Sequence, residues 1–220
     1  MDKTAEAPTS QRLLNVAGEV FAERGYHGAT VREICRRAGV NLCSVSYHYG
    51  SKERLYVTVL RHGAEEALRA YPPDMGLGRG STPEDALRAY VWSLLHRFLA
   101  DGRPGWYGRL MARELADPTP ALDVIVRDVV RPLNDRLHRI VRSLLRPGTS
   151  AEEVELHAMS VIGQCLIYKT QRPILERLHD SGSHTNYDIE RLANHIVRAS
   201  LAAMGRPAAR RTRHPAHAGR

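Results

Sequence analysis

A chain of 220 residues, 43% hydrophobic and 25% charged, has room for one small helical domain and one larger one, and its composition is neither that of a disordered chain nor that of a membrane protein. The formal net charge of +8 points toward an acidic partner, but residues 1–60 carry only +2, residues 61–204 carry +1, and residues 205–220, with five Arg and no acid, carry +5. The three cysteines, Cys35, Cys43 and Cys165, lack the pairwise spacing of a disulfide framework, a zinc site or a redox couple, so no metal is expected.

Helical patterns dominate, and no alternating β-branched runs bounded by hairpin dipeptides appear, so the expected fold class is all-α. Leu13, Leu14, Ala17, Val20 and Phe21 recur at spacings of three and four and predict a helix over residues 10–24, capped by Thr9 or Ser10 and stopped by Gly25. After a short connection, Thr30 and Glu33 have the spacing of a capping box, in which each side chain satisfies a free backbone N–H. Val31, Ile34 and Ala38 form the apolar stripe of this second helix. Gly39 supplies the left-handed residue that ends it, and Asn41 is placed to cap a third helix. In that helix Val45 and Tyr49 share a face that can pack onto Val31 and Ile34. Leu42, Cys43, Ser44, Ser46, Tyr47 and His48 are left on other faces. A polar face this large on so short a helix stabilises little and suits entry into a DNA major groove. The unit is a helix–turn–helix, and Ser51–Lys52 begins a further helix toward Tyr71.

A Pro- and Gly-rich linker, YPPDMGLGRGSTPED, precedes the carboxy-terminal bundle. Ser81 or Thr82 caps a helix bearing Leu87, Tyr90, Val91, Leu94, Leu95 and Phe98, which stops near Asp101–Gly102. A shorter helix covers Trp106 to Leu115. A long one runs from about Pro120 to Leu145 with a bend at Pro132. Ser150 and Glu153 open another, expected to reach Leu178 with a kink near Pro173, and a last helix covers Tyr187 to Met204. The expected organisation is a three-helix DNA-binding domain over 1–50, a larger helical-bundle ligand-binding and dimerisation domain over 51–204, and a basic disordered tail over 205–220. The tail either adds nonspecific phosphate attraction or is a solvated end without a role.

The run from Leu13 to Leu55, with FAERGYHGATVREICRRAGV and YHYGSKERLY, resembles the amino-terminal domain of TetR-family transcriptional regulators. RLMARELADPTP and VIGQCLIYKTQRP resemble a subgroup of that family with a CecR-type carboxy-terminal domain. The resemblance implies a homodimeric, all-helical regulator, usually a repressor released from a DNA operator by a small-molecule effector. Carried over residue by residue, it places phosphate contacts on Thr30, Tyr47, His48 and Lys52, and base-edge contacts on Asn41, Leu42, Cys43, Ser44 and Ser46. The family commonly has two aromatics before the histidine; here Ser46 stands in the first of those positions.

Other readings come from the residues themselves. The helix from Ser150 is apolar on nearly every side between Ala158 and Tyr168, which requires burial all round. A twin subunit would cover the far side, so a homodimer interface is expected around Ile162 and Leu166; the resemblance, which implies an interface made by the last two helices, adds Ile196 and Val197. Trp92, His96, Trp106, Tyr107, Arg109, Arg113, His138, Gln164 and Tyr168 are large or polar groups on apolar helices and form the candidate ligand-binding set. Each also has a plainer role in the core or in a surface ion pair. Leu42 is open to core packing or to a thymine methyl. Cys43 is open to space-filling or to an oxidation-sensitive role. No Gly-rich phosphate loop, His-Glu-x-x-His pattern or nucleophile elbow occurs, so neither an enzyme nor a resident cofactor is expected. The apolar stretch around Gly163 and Gln164 is shorter than the roughly 20 residues that span a bilayer. No secretory cleavage pattern is present, and a cytoplasmic protein without a membrane partner is expected. The alternative to a DNA-binding regulator is a helical ligand-binding or interaction protein with a vestigial helix–turn–helix.

Overall fold

The computed structural model describes residues 9–99, 105–178 and 188–205, and every regular element among them is helical. The basic tail expected beyond Gly205, the helix stop near Asp101–Gly102 and the helix start at Tyr187 lie outside the described residues. The chain divides into two compact units, one comprising Met1–Met75 with Ser93–Arg136, the other Gly76–Trp92 with Leu137–Arg220. This grouping does not follow the expected division at residue 50, because the helices beyond the first three share their core.

The first unit begins with α1 (Thr9–Gly28), whose backbone leaves helical geometry at Gly25 (φ 71°, ψ 173°) before one last turn. The glycine therefore ends the continuous helix where the sequence places the stop. Helices α2 (Val31–Ala38) and α3 (Cys43–Tyr49) follow, then α4 (Lys52–Ala70), capped by Ser51 through a 3.2 Å bond from Arg54 N–H. Helix α5 (Pro83–Leu99) has residues in both units, and α6 (Gly105–Ala116) and α7 (Ala121–Ile125) follow in the first. One core joins α1–α4, α6 and α7: Leu13, Phe21, Ile34, Val45, Leu55, Leu60, Leu110 and Ile125 are all essentially inaccessible. Burying each such side chain stabilises the fold by about 1.5–3 kcal/mol.

The long helix expected from Pro120 is continuous but not uniform. A π-helical turn, Val126–Val130, separates α7 from α8 (Arg131–Leu144), and Arg131 N–H bonds to Val126 O five residues back. Pro132 lacks an N–H to continue the four-residue ladder, and the widened turn just before it absorbs that defect. In the second unit, Thr82 and Asp85 form a reciprocal capping box: Asp85 N–H donates to Thr82 Oγ1 (3.2 Å), and Thr82 N–H to Asp85 Oδ2 (3.0 Å). These bonds hold the Asp85 carboxyl below its ordinary pKa. Ser150 caps α9 (Ala151–Thr170) as expected. The break comes at Gln171 rather than at a kinked Pro173, and α10 (Arg172–Leu178) starts afresh with the proline in its first turn, where its missing N–H costs nothing. Helix α11 (Ile189–Ala203) packs on α9, burying Ala193, Ile196, Val197 and Leu201.

Candidate nucleic-acid interface

The turn between α2 and α3 is fixed by its ends. Thr30 is extended (φ −118°, ψ 145°), and its Oγ1 accepts a 3.1 Å bond from Glu33 N–H. The other half of the expected capping box does not form. The Glu33 carboxylate instead accepts from Arg37 at 2.8 Å and lies 3.9 Å from Arg24, because a guanidinium offers a stronger, charge-assisted bond than a neutral N–H. At the far end Gly39 is left-handed (φ 63°). Its N–H donates to Arg36 O (3.3 Å) and Val40 N–H donates to Cys35 O (3.0 Å), the paired bonds of a Schellman stop.

Asn41 then starts α3: its Oδ1 accepts from Cys43 N–H at 3.0 Å, and its backbone carbonyl from Ser44 N–H at 3.0 Å. Val45 is buried in the shared core, with Val31, Ile34 and Tyr49 around it. The Tyr49 hydroxyl also donates a 2.6 Å bond to Ser10 O, tying α3 to the first turn of α1. That tether joins residues 39 apart, and no local pattern announces it.

What remains outside is the presented surface. Tyr47 is 85% exposed and Leu42 55% exposed, so Leu42 does not belong to the core. Thr30, Asn41, Cys43, Ser46 and His48 are exposed as well, and Ser44 is half-buried. The rings of Tyr47 and His48 meet edge-on at 4.9 Å, which props the tyrosine outward. Lys52 differs from the other expected phosphate contacts. Its ammonium sits 4.6 Å from the centroid of the Tyr26 ring, and partial burial lowers its pKa. The structure thus brings together the α2 start and the outer face of α3, and partly occupies Lys52 with an aromatic face.

The residues expected to bind a ligand have other engagements. Trp106 is buried against Gly18 of α1: a Cβ added there would fall 2.4 Å from the indole Cε2. Tyr107 presses on Gly63 of α4 in the same way, 2.3 Å from ring Cδ2, and burial pushes its phenol up to about 12. Arg113 donates from Nε to Ala22 O and from Nη2 to Glu23 O, both at 2.9 Å, satisfying carbonyls at the end of α1. Trp106, Tyr107 and Arg113 therefore join α6 to α1 and α4, where the sequence reading expected a ligand. His96 stacks on Tyr71 (4.7 Å), burial lowers its pKa, and Arg109 is exposed. In the second unit His138 pairs with Glu155 at 3.0 Å, Gln164 donates to Ser200 Oγ at 3.3 Å, and Trp92 and Tyr168 are half-buried.

The sequence reading does not single out Glu114. The residue is 1% exposed, and its carboxylate accepts from the Tyr56 hydroxyl (2.6 Å), Thr119 N–H (2.8 Å) and Thr119 Oγ1 (2.9 Å). Burial first, and the adjacent carboxylate second, push the Tyr56 phenol far above its ordinary value. The expected interface residues also separate. Ile196 and Val197 are buried inside their own unit, Ile162 and Leu166 are half-buried, and the outward apolar side chains of α9 are Leu156, Met159 and Ile167. Helix α11 turns its apolar face onto α9 of the same chain, so Ile196 and Val197 have no surface left for a partner.

Comparison with known proteins decides the family. The model of the carboxy-terminal domain of the HTH-type transcriptional dual regulator CecR matches residues 83–204, and that of bacterial regulatory proteins of the tetR family matches residues 13–59. The chain belongs to the TetR family. CecR of Shigella flexneri is 28% identical over 173 residues, 72% of this chain and 74% of the relative. The HTH-type transcriptional regulator UidR of Escherichia coli K12 is 33% identical over 119 residues, 54% and 58% of the two chains. A solved TetR-family regulator from Rhodococcus RHA1 shares the fold with a TM-score of 0.65 at 22% identity, over 92% of this chain and all of its own. The TetR-family relatives are DNA-binding transcriptional regulators, not enzymes, and this chain carries their helix–turn–helix at Val31–Tyr49. Among the described residues, no helix is long and apolar enough to cross a membrane and no His, Cys, Asp and Glu cluster has the makings of a metal site.

Proposed function

We propose that this TetR-family regulator acts as a homodimer on a palindromic operator, represses from it, and is released by a small-molecule effector. The observation that carries the reading is the outer face of α3. A short helix with its turn fixed at both ends holds Leu42, Cys43, Ser46, Tyr47 and His48 outward, and all five are exposed. Tyr47, His48 and Thr30 suit phosphate oxygens, whereas Leu42 suits a thymine methyl and Asn41 and Ser46 suit base-edge hydrogen bonds.

The dimer is supported by α9. Leu156, Met159, Gly163 and Ile167 follow one another at three- and four-residue steps and form an outward stripe, continued in α10 by exposed Ile174 and Leu178. An apolar stripe of this length, self-complementary about a twofold axis, fits a second copy of the same helix. Two recognition helices so related reach major grooves about 34–36 Å apart.

Selection from random duplex DNA tests the operator: the expected product is an inverted repeat with half-sites one helical turn apart. Weak, salt-sensitive binding without a consensus overturns it. Analytical ultracentrifugation tests the dimer: Ile167→Glu is expected to sediment as a monomer, and an unchanged dimer moves the interface elsewhere.

A further inference from the structure

Helix α3 has only seven residues, a length of about 10 Å, and it buries Val45 fully and Ser44 and Tyr49 by about half. One deep anchor near the middle of a short rod fixes where the rod sits but leaves its tilt soft. The amino end is held by the chain itself, through the Gly39 turn and the Asn41 cap. The carboxy end is held by Tyr49. Its ring lies one turn from Val45 on the same face and packs against the core. Its hydroxyl donates at 2.6 Å to the Ser10 carbonyl in the first turn of α1. Burial pushes this phenol above its ordinary pKa, so the proton it donates is kept at neutral pH. Helix α3 packs on α2 and α4, and the hydroxyl adds α1 as a further point of support.

We propose that the Tyr49 hydroxyl positions α3 for sequence reading: its bond to the Ser10 carbonyl sets the tilt of the helix, and with it the register of Leu42, Ser44 and Ser46 against the base edges. Tyr49 acts through α3 and touches no base itself. Tilting α3 by about 10° around Val45 displaces the tip of Leu42, roughly 6 Å from that pivot, by about 1 Å. A recognition site has to hold its groups to within about half of that. Phosphate contacts are less demanding, because the DNA backbone offers an oxygen at every step whatever the sequence. Ring packing alone gives a soft restraint, whereas an O–H donor is held in both distance and angle. The hydroxyl therefore favours binding at the right sequence and leaves nonspecific binding unchanged. The inference rests on the DNA-binding reading above.

The test compares the full wild-type chain with Tyr49→Phe on a selected operator and on a scrambled duplex of the same length. Phenylalanine keeps the ring and its packing and removes the hydroxyl alone. One net hydrogen bond corresponds to about a three- to tenfold change in an equilibrium constant, and operator affinity is expected to fall by about that factor. Affinity for the scrambled duplex should stay within about twofold of wild type. The slope of log affinity against log salt should not change, because no phosphate contact is lost. Random-duplex selection with Tyr49→Phe should return the same inverted repeat, with preferences weakened at several positions facing α3 and not at one. In a Leu42→Ala background the loss caused by Tyr49→Phe should shrink, since the register of a side chain that is absent no longer matters. A hydroxyl with a merely structural role would lower the melting temperature and weaken both duplexes alike, and that result overturns the proposal. So does an unchanged operator affinity, or an equal loss in the Leu42→Ala background. Failure of the wild-type chain to select any operator would instead overturn the DNA reading itself.

Discussion

Two ends of one unit are built on opposite principles. At the α2–α3 end the helices are short, their starts and the turn between them are fixed by hydrogen bonds of Thr30, Gly39 and Asn41, and the outer side chains touch little but solvent. At the α1–α4–α6 end the packing is close. Trp106 and Tyr107 sit in notches left by Gly18 and Gly63, Arg113 holds the carbonyls ending α1, and Glu114 is buried under Tyr56 and Thr119. The difference shows where stability and recognition reside. The exposed end can vary its side chains at little energetic cost, while the packed end fixes the direction in which those side chains point.

Three substitutions break or sharpen this contrast. Glu114→Ala should have the largest effect on stability, about 3 kcal/mol, since it deletes charge-assisted bonds and leaves the buried Tyr56 hydroxyl and the Thr119 donors unsatisfied. Chemical denaturation checks this, and an effect below about 1 kcal/mol would mean that water replaces the carboxylate. Gly63→Ala comes next. The added methyl meets the root of the Tyr107 ring, so the cost should be about 1–3 kcal/mol even though alanine favours the helix. Truncating the ring in the double variant Gly63→Ala, Tyr107→Ala should remove the clash, and a double-mutant cycle reads the coupling. Tyr47→Ala should change stability least, within about 0.5 kcal/mol, yet weaken binding to all DNA sequences alike. A large loss of stability in Tyr47→Ala would erase the distinction between the two ends.

How much of this was legible in the sequence follows the same division. Local signals were strong at the recognition end: Thr30 as a cap, Gly39 as a stop and Asn41 as a starter are set by bonds spanning five residues or fewer. The helices and most of their bounds were legible for the same reason. The exposure of Leu42 is not legible locally, because an apolar side chain next to a turn fits either a core or a groove. At the packed end the signals were long-range. Gly18 and Gly63, placed mid-helix where glycine is unfavourable, were the readable hint that something bulky approaches. Their partners, Trp106 and Tyr107, lie 88 and 44 residues away and were read as ligand contacts. Arg113 and Glu114 are a similar case: adjacent opposite charges fit a surface pair, whereas one points at α1 and the other into the core. Ile196 and Val197 carried the right periodicity, but periodicity does not say whether a face meets its own chain or another.

The central claim is that α3 reads sequence through side chains that the fold does not need. Repeating the random-duplex selection with Leu42→Ala tests it most directly, with the wild-type chain alongside. The account predicts the same inverted repeat with relaxed preference at one position in each half-site, where a thymine methyl is contacted. A consensus identical at every position, with uniformly weaker binding, would contradict it.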